Sequence, residues 1–393
     1  MGSPSSSSSD PNPSSSSNPN RIQWWEAISK ARSRIQSLSS ILPSFPSILS
    51  HADTDRPARS LLESQDAYFA VSSSLSQPLS GSGDDPLCQW LYETYQSSDP
   101  NLRLVVLSFI PLLTGLYLSR VIVPSFATPM PSLSGFEAVI LALYASETKA
   151  RAGKPTLISI PDLSQPSLYH SPQIKTPHNN SSIQSNPTVG ILCPPLEPQI
   201  AIKSTKRAFI VSVALDCYYK QISQMPSWSK LDFCQFVSSW AGQNCSCRNE
   251  FDSDSNGSLC DFKDFEEDIE IEIDDTVEKI TKLGLEDSSV SKGARVPLPW
   301  ELLQPLLRIL GHCLMAPLNS QDVKDAAAYA VRCLYARASH DLLPQAILAT
   351  RSLIQLDVRL RLAAKAAADA ANATSNANTP SKARRPEVLL VSK

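Results

Sequence analysis

The sequence predicts an all-α, multi-helix scaffold domain, and three observations predict it. An Asp-Pro helix start occurs twice within sixteen residues of chain, a Ser-x-x-Glu start follows, and apolar residues at helical spacing return after residue 204 and continue to 371. The helical part is expected to span 21–371, carrying a long loop near 173–198 and an acidic insertion at 242–295. A disordered N-terminus at 1–20 and a flexible tail at 372–393 are expected to flank it.

Residues 3–20 are Ser, Pro and Asn with almost no apolar content, too little to offset the entropy of ordering. Ile22 to Leu42 can form an amphipathic helix with Ile22, Trp25, Ile28, Ile35 and Leu38 to one side, ended by Pro43 and Pro46. A second helix is expected from Ser60 to Leu75, before the SGSGDD turn. At Asp85-Pro86 the carboxylate can accept from orphan N–H groups, and the proline occupies the first helical position, where it needs no donor. Leu87, Trp90, Leu91 and Tyr95 follow at helical spacing. Asp99-Pro100 repeats the device and opens the apolar run that ends at Arg120.

Ser134 and Glu137 fit a capping box ahead of Val139, Ile140, Leu143 and Tyr144. Pro155, Pro161 and Pro166 then exclude a continuous helix, and Leu157 to Ile160 can form a short edge strand, the basis for one short β-hairpin. Residues 173–198, rich in Pro, Asn and Ser, read as loop. Helical spacing recovers over Ser204 to Ile222, Ser227 to Trp240, Pro299 to Met315, Ser320 to Ser339 and Pro344 to Ala371.

Charge is nearly balanced, 35 Lys+Arg against 38 Asp+Glu, which argues against a nucleic-acid binder. Most of the nine cysteines sit in helical patterns, among them Cys88, Cys217, Cys234, Cys313 and Cys333, and are expected to be buried thiols. The first residues lack the apolar core of a conventional signal peptide. Leu104 to Ser119 is the one membrane-span candidate, but it is short, bracketed by Arg103 and Arg120 and interrupted by Pro111, so a buried, kinked helix is expected.

Chemistry-bearing motifs are sparse. Asp252, Asp254 and Asn256, with Gly257 at the turn, match the first half of a calcium loop. Position twelve is Lys263 where a bidentate glutamate should close the coordination sphere. Cys245 and Cys247, with Cys234 and Cys260 nearby, are spaced too tightly for a structural zinc site. The run DFKDFEEDIEIEIDD alternates like a strand, yet one of its faces would be a row of carboxylates, so a solvated linker is the better account. His170 has no identifiable partner for acid–base work, and no phosphate loop, kinase signature or nucleophile elbow is present. Neither catalysis nor a cofactor is expected.

Two features bear on membranes. Met1-Gly2-Ser3-Pro4-Ser5-Ser6 fits the N-myristoylation pattern, with Gly2 as acceptor. A single acyl chain binds weakly, and the helix from Arg21 could add a second contact, with Trp24 or Trp25 at the headgroups and Lys30, Arg32 and Arg34 near anionic lipid. The same helix could equally dock on the protein's own core.

PLCQWLYETYQ, FIPLLTGLYL, GFEAVILALY and most specifically ISIPDLSQPSLYH resemble the hyccin family. The resemblance continues through FIVSVALDCYYKQISQMPSW, PWELLQPLLRILGHCL, DAAAYAVRCLYARA and LLPQAILATRSLIQL. It implies an all-helical, noncatalytic scaffold subunit of the type III alpha phosphatidylinositol 4-kinase complex, whose partners are a tetratricopeptide-repeat protein and the kinase. Cytosol and the cytoplasmic face of the plasma membrane are the implied locations. The alternative from another class is a calcium sensor or an enzyme using the acidic loop at 252–263.

Overall fold

The computed structural model describes residues 19–122, 132–160, 188–242 and 295–376. Among these the chain is all-α apart from one two-stranded ribbon. They group into two compact units, the first drawn from residues 19–117, 132–160 and 188–226, the second from 118–122, 227–242 and 295–376.

In the first unit, α1 (Pro19–Ile41) and the single turn α2 (Ser47–Ser50) lead through a 3-10 turn into α3 (Pro57–Glu63) and α4 (Gln65–Ser76). The helix expected over Ser60 to Leu75 is therefore two helices. Ser64 leaves the first with an extended backbone, and its hydroxyl then accepts from the Ala67 N–H to cap the second. Next come α5 (Pro86–Gln96) and α6 (Pro100–Ser108), started as expected: Asp85 accepts from the N–H groups of Leu87 and Cys88, Asp99 from that of Asn101. α1 packs on α3 and α5, and α6 on α3 and α5, burying Ile35, Leu62, Trp90, Leu91 and Leu102.

The apolar run is broken at Phe109, where α6 gives way to α7 (Ile110–Ile122) with a bend of 40°. Pro111 supplies the cause, since it has no N–H for the Leu107 carbonyl and its ring crowds that group. No single helix among the described residues is long and apolar enough to cross a membrane; the bent pair α6–α7 passes only as a pair. Its residues from Leu104 to Leu113 are nearly all buried, as a core segment requires.

α8 (Ser134–Arg151) corrects the expected capping box. Ser134 makes no cap, and Glu137 accepts instead from the Tyr117 hydroxyl at 2.8 Å. The orphan N–H groups of Gly135 and Phe136 are satisfied by the Gly81 carbonyl, brought in by the SGSGDD turn. The fit admits only glycine at 135, because a Cβ there would lie 2.2 Å from the Ser82 carbonyl oxygen.

The ribbon pairs β1 (Thr156–Ile160) antiparallel with β2 (Thr188–Cys193), setting Leu157 opposite Ile191 and Ser159 opposite Val189. The short hairpin strand expected at 157–160 is present. Its partner falls inside 173–198, which had read as loop: the alternation of TVGILC is masked by the prolines around it. α9 (Arg207–Lys220) completes this unit and packs on α8.

The second unit holds α10 (Ser227–Trp240), α11 (Trp300–Met315), α12 (Gln321–His340) and α13 (Pro344–Asn376). α12 is central, packed on the other three. Leu302, Leu306, Leu310, Val323, Ala327 and Ala330 are fully buried on repeats of three and four residues, the pattern that marked these helices in the sequence. α13 runs five residues past the expected end at Ala371, through Asn-Ala-Thr-Ser-Asn, a segment of low helix propensity that follows the alanine-rich turns. Cys88, Cys217, Cys234, Cys313 and Cys333 are buried thiols, as expected.

Candidate functional site

The surface singled out in the sequence is the outer side of α1. Ile28, Ala31, Ile35 and Leu38, at intervals of three or four, form its buried stripe. Trp25 was expected on that stripe and is not: the turn holding Trp24, Trp25 and Glu26 is exposed all round, with Trp24 at 54% and Trp25 at 59% of full exposure. The two indoles lie 5.8 Å apart, and the Arg32 guanidinium sits 5.9 Å from the Trp25 ring centre.

Each of the three predicted cations has a partner within the molecule. Lys30 pairs with Glu26 at 2.8 Å and donates to the Ser98 hydroxyl. Arg32 donates to the Ala52 carbonyl at 2.9 Å. Arg34 pairs with Glu93 of α5 at 2.6 Å, and its own carbonyl accepts from the Trp90 indole N–H at 2.8 Å. The hydrogen bond from Arg34 holds the Glu93 carboxyl below the ordinary carboxylate range. A lipid phosphate would compete with these contacts, whereas the two tryptophans are turned outward and open to a partner or a headgroup layer.

The remaining candidates lie outside the described residues: Gly2, His170, the calcium-loop residues Asp252, Asp254, Asn256 and Lys263, and Cys245, Cys247 and Cys260. Among the described residues, no group of three or more His, Cys, Asp or Glu side chains could hold a metal ion.

Sequence reasoning missed two buried polar clusters. Between α8 and α9, Arg151 bonds both Glu147 and Asp216, the latter at 2.9 Å, and Lys220 bonds Glu147. Burial alone would raise the Glu147 carboxyl, but hydrogen bonds from Lys220 and Arg151 outweigh it and hold the pKa below the ordinary value. Cys217 beside this cluster is pushed strongly upward by burial, so its thiol is inert. The visible signal was a pair of acid-to-base i,i+4 spacings, Glu147/Arg151 and Asp216/Lys220, in otherwise apolar helices.

In the second unit, Lys230 of α10 is buried and donates to the Asn319 side-chain carbonyl at 2.8 Å. The Asn319 amide in turn donates to the carbonyls of His312 and Cys313 at the end of α11. Burial lowers the Lys230 pKa and also that of His312 beside it. Both clusters tie helices together; the Cys217 thiol donates to the Glu147 carboxylate at 3.7 Å, but it is buried and held protonated.

Residues 52–389 match the family model for hyccin. The chain belongs to the hyccin family. The match takes in every helix from α3 onward together with the ribbon, while α1 and its aromatic end precede it. Hyccins are a noncatalytic scaffold family, and membership gives this chain a scaffold role in the type III alpha phosphatidylinositol 4-kinase complex. The packed helices and the structural use made of the buried ionisable groups accord with that role.

Proposed function

We propose that the chain binds a tetratricopeptide-repeat partner, and through it holds the type III alpha phosphatidylinositol 4-kinase together at the cytoplasmic face of the plasma membrane, supporting phosphatidylinositol 4-phosphate synthesis. The hyccin match over residues 52–389 carries this reading. The contribution is binding free energy, since a partner that binds only the folded assembly stabilises it by mass action without any chemistry of its own. The cytosol holds the unassembled subunit.

Membrane attachment runs mainly through the partners. Gly2 myristoylation and the exposed Trp24 and Trp25 of α1 are auxiliary contacts in this account; the outward indoles support it. Affinity purification from native cells followed by mass spectrometry tests the assembly: a tetratricopeptide-repeat subunit and a phosphatidylinositol 4-kinase should be recovered together, and their absence from cells that contain them would sink the proposal. Intact-mass spectrometry of the same material reads the N-terminus directly, and an unmodified or acetylated residue there removes the acyl anchor.

A further inference from the structure

Both ends of the acidic insertion sit close to the start of α13. Arg295 lies 3.9 Å from Asp341, and Arg337 donates to the Trp240 carbonyl, which places residues 240 and 295 at the end of α12. Between 243 and 294 the sequence holds 15 Asp+Glu against 5 Lys+Arg. Nine of those acids fall within 261–275, where Lys263 is the one cation.

α13 offers the opposite charge. Ala346, Thr350 and Asp357 form its buried side, where Asp357, the one carboxylate among its described side chains, pairs with Arg361. Arg351, Arg359 and Lys365 are exposed, and at 3.6 residues per turn they fall within an arc of about 120° turned away from that side. Among the described residues none of the three is paired with a carboxylate. The sequence adds one acid to this arc, Asp369, so three cations stand against one carboxylate. Arg332 of α12 extends the cationic surface: it is exposed, and it follows by seven residues the Asp325 that bonds Arg361, which puts it on the same side of α12. Leu348 lies inside the arc at 67% exposure, and Leu356 and Leu360 are exposed further round.

We propose that the acidic block 261–275 docks on this cationic face of α13 within the same chain. Charge complementarity and the tether select the occupant. The 18 residues between Gly242 and Asp261 can reach up to about 60 Å, whereas Lys365 lies only about 32 Å along α13 from its start. The acids are interleaved with Phe262, Phe265, Ile269, Ile271 and Ile273, which suits a surface where Leu348 stands among the cations. Contacts between exposed charges are individually weak, so the docking adds little to stability and is read by proximity. The block shields the face, and an anionic ligand from outside must displace it. The inference is independent of the assembly reading, because it concerns the isolated chain.

Zero-length carboxyl-to-amine crosslinking of the full-length chain, read by mass spectrometry, tests it. R351K/R359K keeps the charge and presents the reagent with amines at 351, 359 and 365. At about 50 mM salt the carboxylates of 261–275 should couple to these three positions, and about 0.5 M salt should lower the yield about fivefold by screening. Acetylation rates supply a second reading. Lys365 should react about twofold more slowly in the unmutated chain than in a variant carrying a Gly/Ser linker for 243–294, because the tether holds the block at an effective concentration on the order of 1 mM. Lys149 of the first unit should react alike in both proteins. Absence of the couplings, couplings that go equally to Lys149, Lys203 and Lys206, or equal Lys365 rates in the two proteins would overturn the proposal. Couplings formed between isotope-labelled and unlabelled copies, mixed beforehand, would also overturn it and make the block a contact between two chains.

Discussion

The two units bury charge in opposite ways. In the first, Glu147, Arg151 and Asp216 are taken out of water together, with Lys220 at the margin, and each carboxylate faces a cation. In the second, Lys230 is buried against the neutral amide of Asn319, and that amide is itself oriented by two backbone carbonyls. A compensated cluster stabilises its helices only while all its members are present. A lone ammonium in a neutral site carries a desolvation cost that removing it relieves. Burial by itself therefore says little about whether a charged residue supports the fold; its partners decide.

The largest effect separating the two belongs to the paired cluster. Asp216→Ala leaves the Arg151 guanidinium buried beside Glu147 alone, and should cost about 3 kcal/mol in chemical denaturation. Lys230→Met removes the charge and fills a similar volume, so stability should change by less than about 1 kcal/mol, the remaining penalty being the Asn319 oxygen left without its donor. Equal losses in the two variants would erase the distinction.

The same contrast predicts two separate pH windows. The Glu147 pKa is depressed in the folded state, so its contribution is present above the ordinary carboxylate value and is lost as pH falls through the folded value. The Lys230 pKa is depressed too, but from the ordinary lysine value: the stability tied to neutral Lys230 is full above that value and is lost as pH falls through the folded one. Amide exchange in α8 and α9 should therefore quicken in acid. That in α10 should slow as pH climbs through the folded lysine pKa, once corrected for intrinsic rates, and Lys230→Met should abolish the slowing.

The smallest effect concerns the acidic insertion. Gly242 and Arg295 are neighbours in the second unit, where a Cβ at 242 would lie 2.9 Å from the Arg295 Cγ. Replacing 243–294 with a short Gly/Ser linker should leave the melting temperature within about 2 °C, since the ends already meet and long loops add only slowly to closure entropy. A large fall would show that the insertion packs.

Legibility in the sequence followed the range of the interaction. Asp85 and Asp99 were readable as caps because donor and acceptor lie within three residues. Ser134 carried the same local signal and failed, because the Gly81 carbonyl, supplied from another loop, took the cap's place. β2 was hidden because a strand in a ribbon is defined by its partner, here β1 nearly thirty residues earlier. At the candidate site, the tryptophans and cations of α1 were legible as residue types, but not that Trp25 would turn outward while Arg34 met Glu93. The leucines of α13 show the same limit: an apolar helix position reads alike whether it faces the core or solvent, and only the packed neighbours distinguish the two.

The central claim is that the chain acts by binding alone. Mixing the purified chain with a purified tetratricopeptide-repeat subunit of the kinase complex, then following size-exclusion elution and the partner's melting temperature, tests it most directly. The account predicts one co-eluting species at micromolar concentration and a partner melting temperature that rises with added chain. Separate elution with an unchanged melting temperature would contradict it.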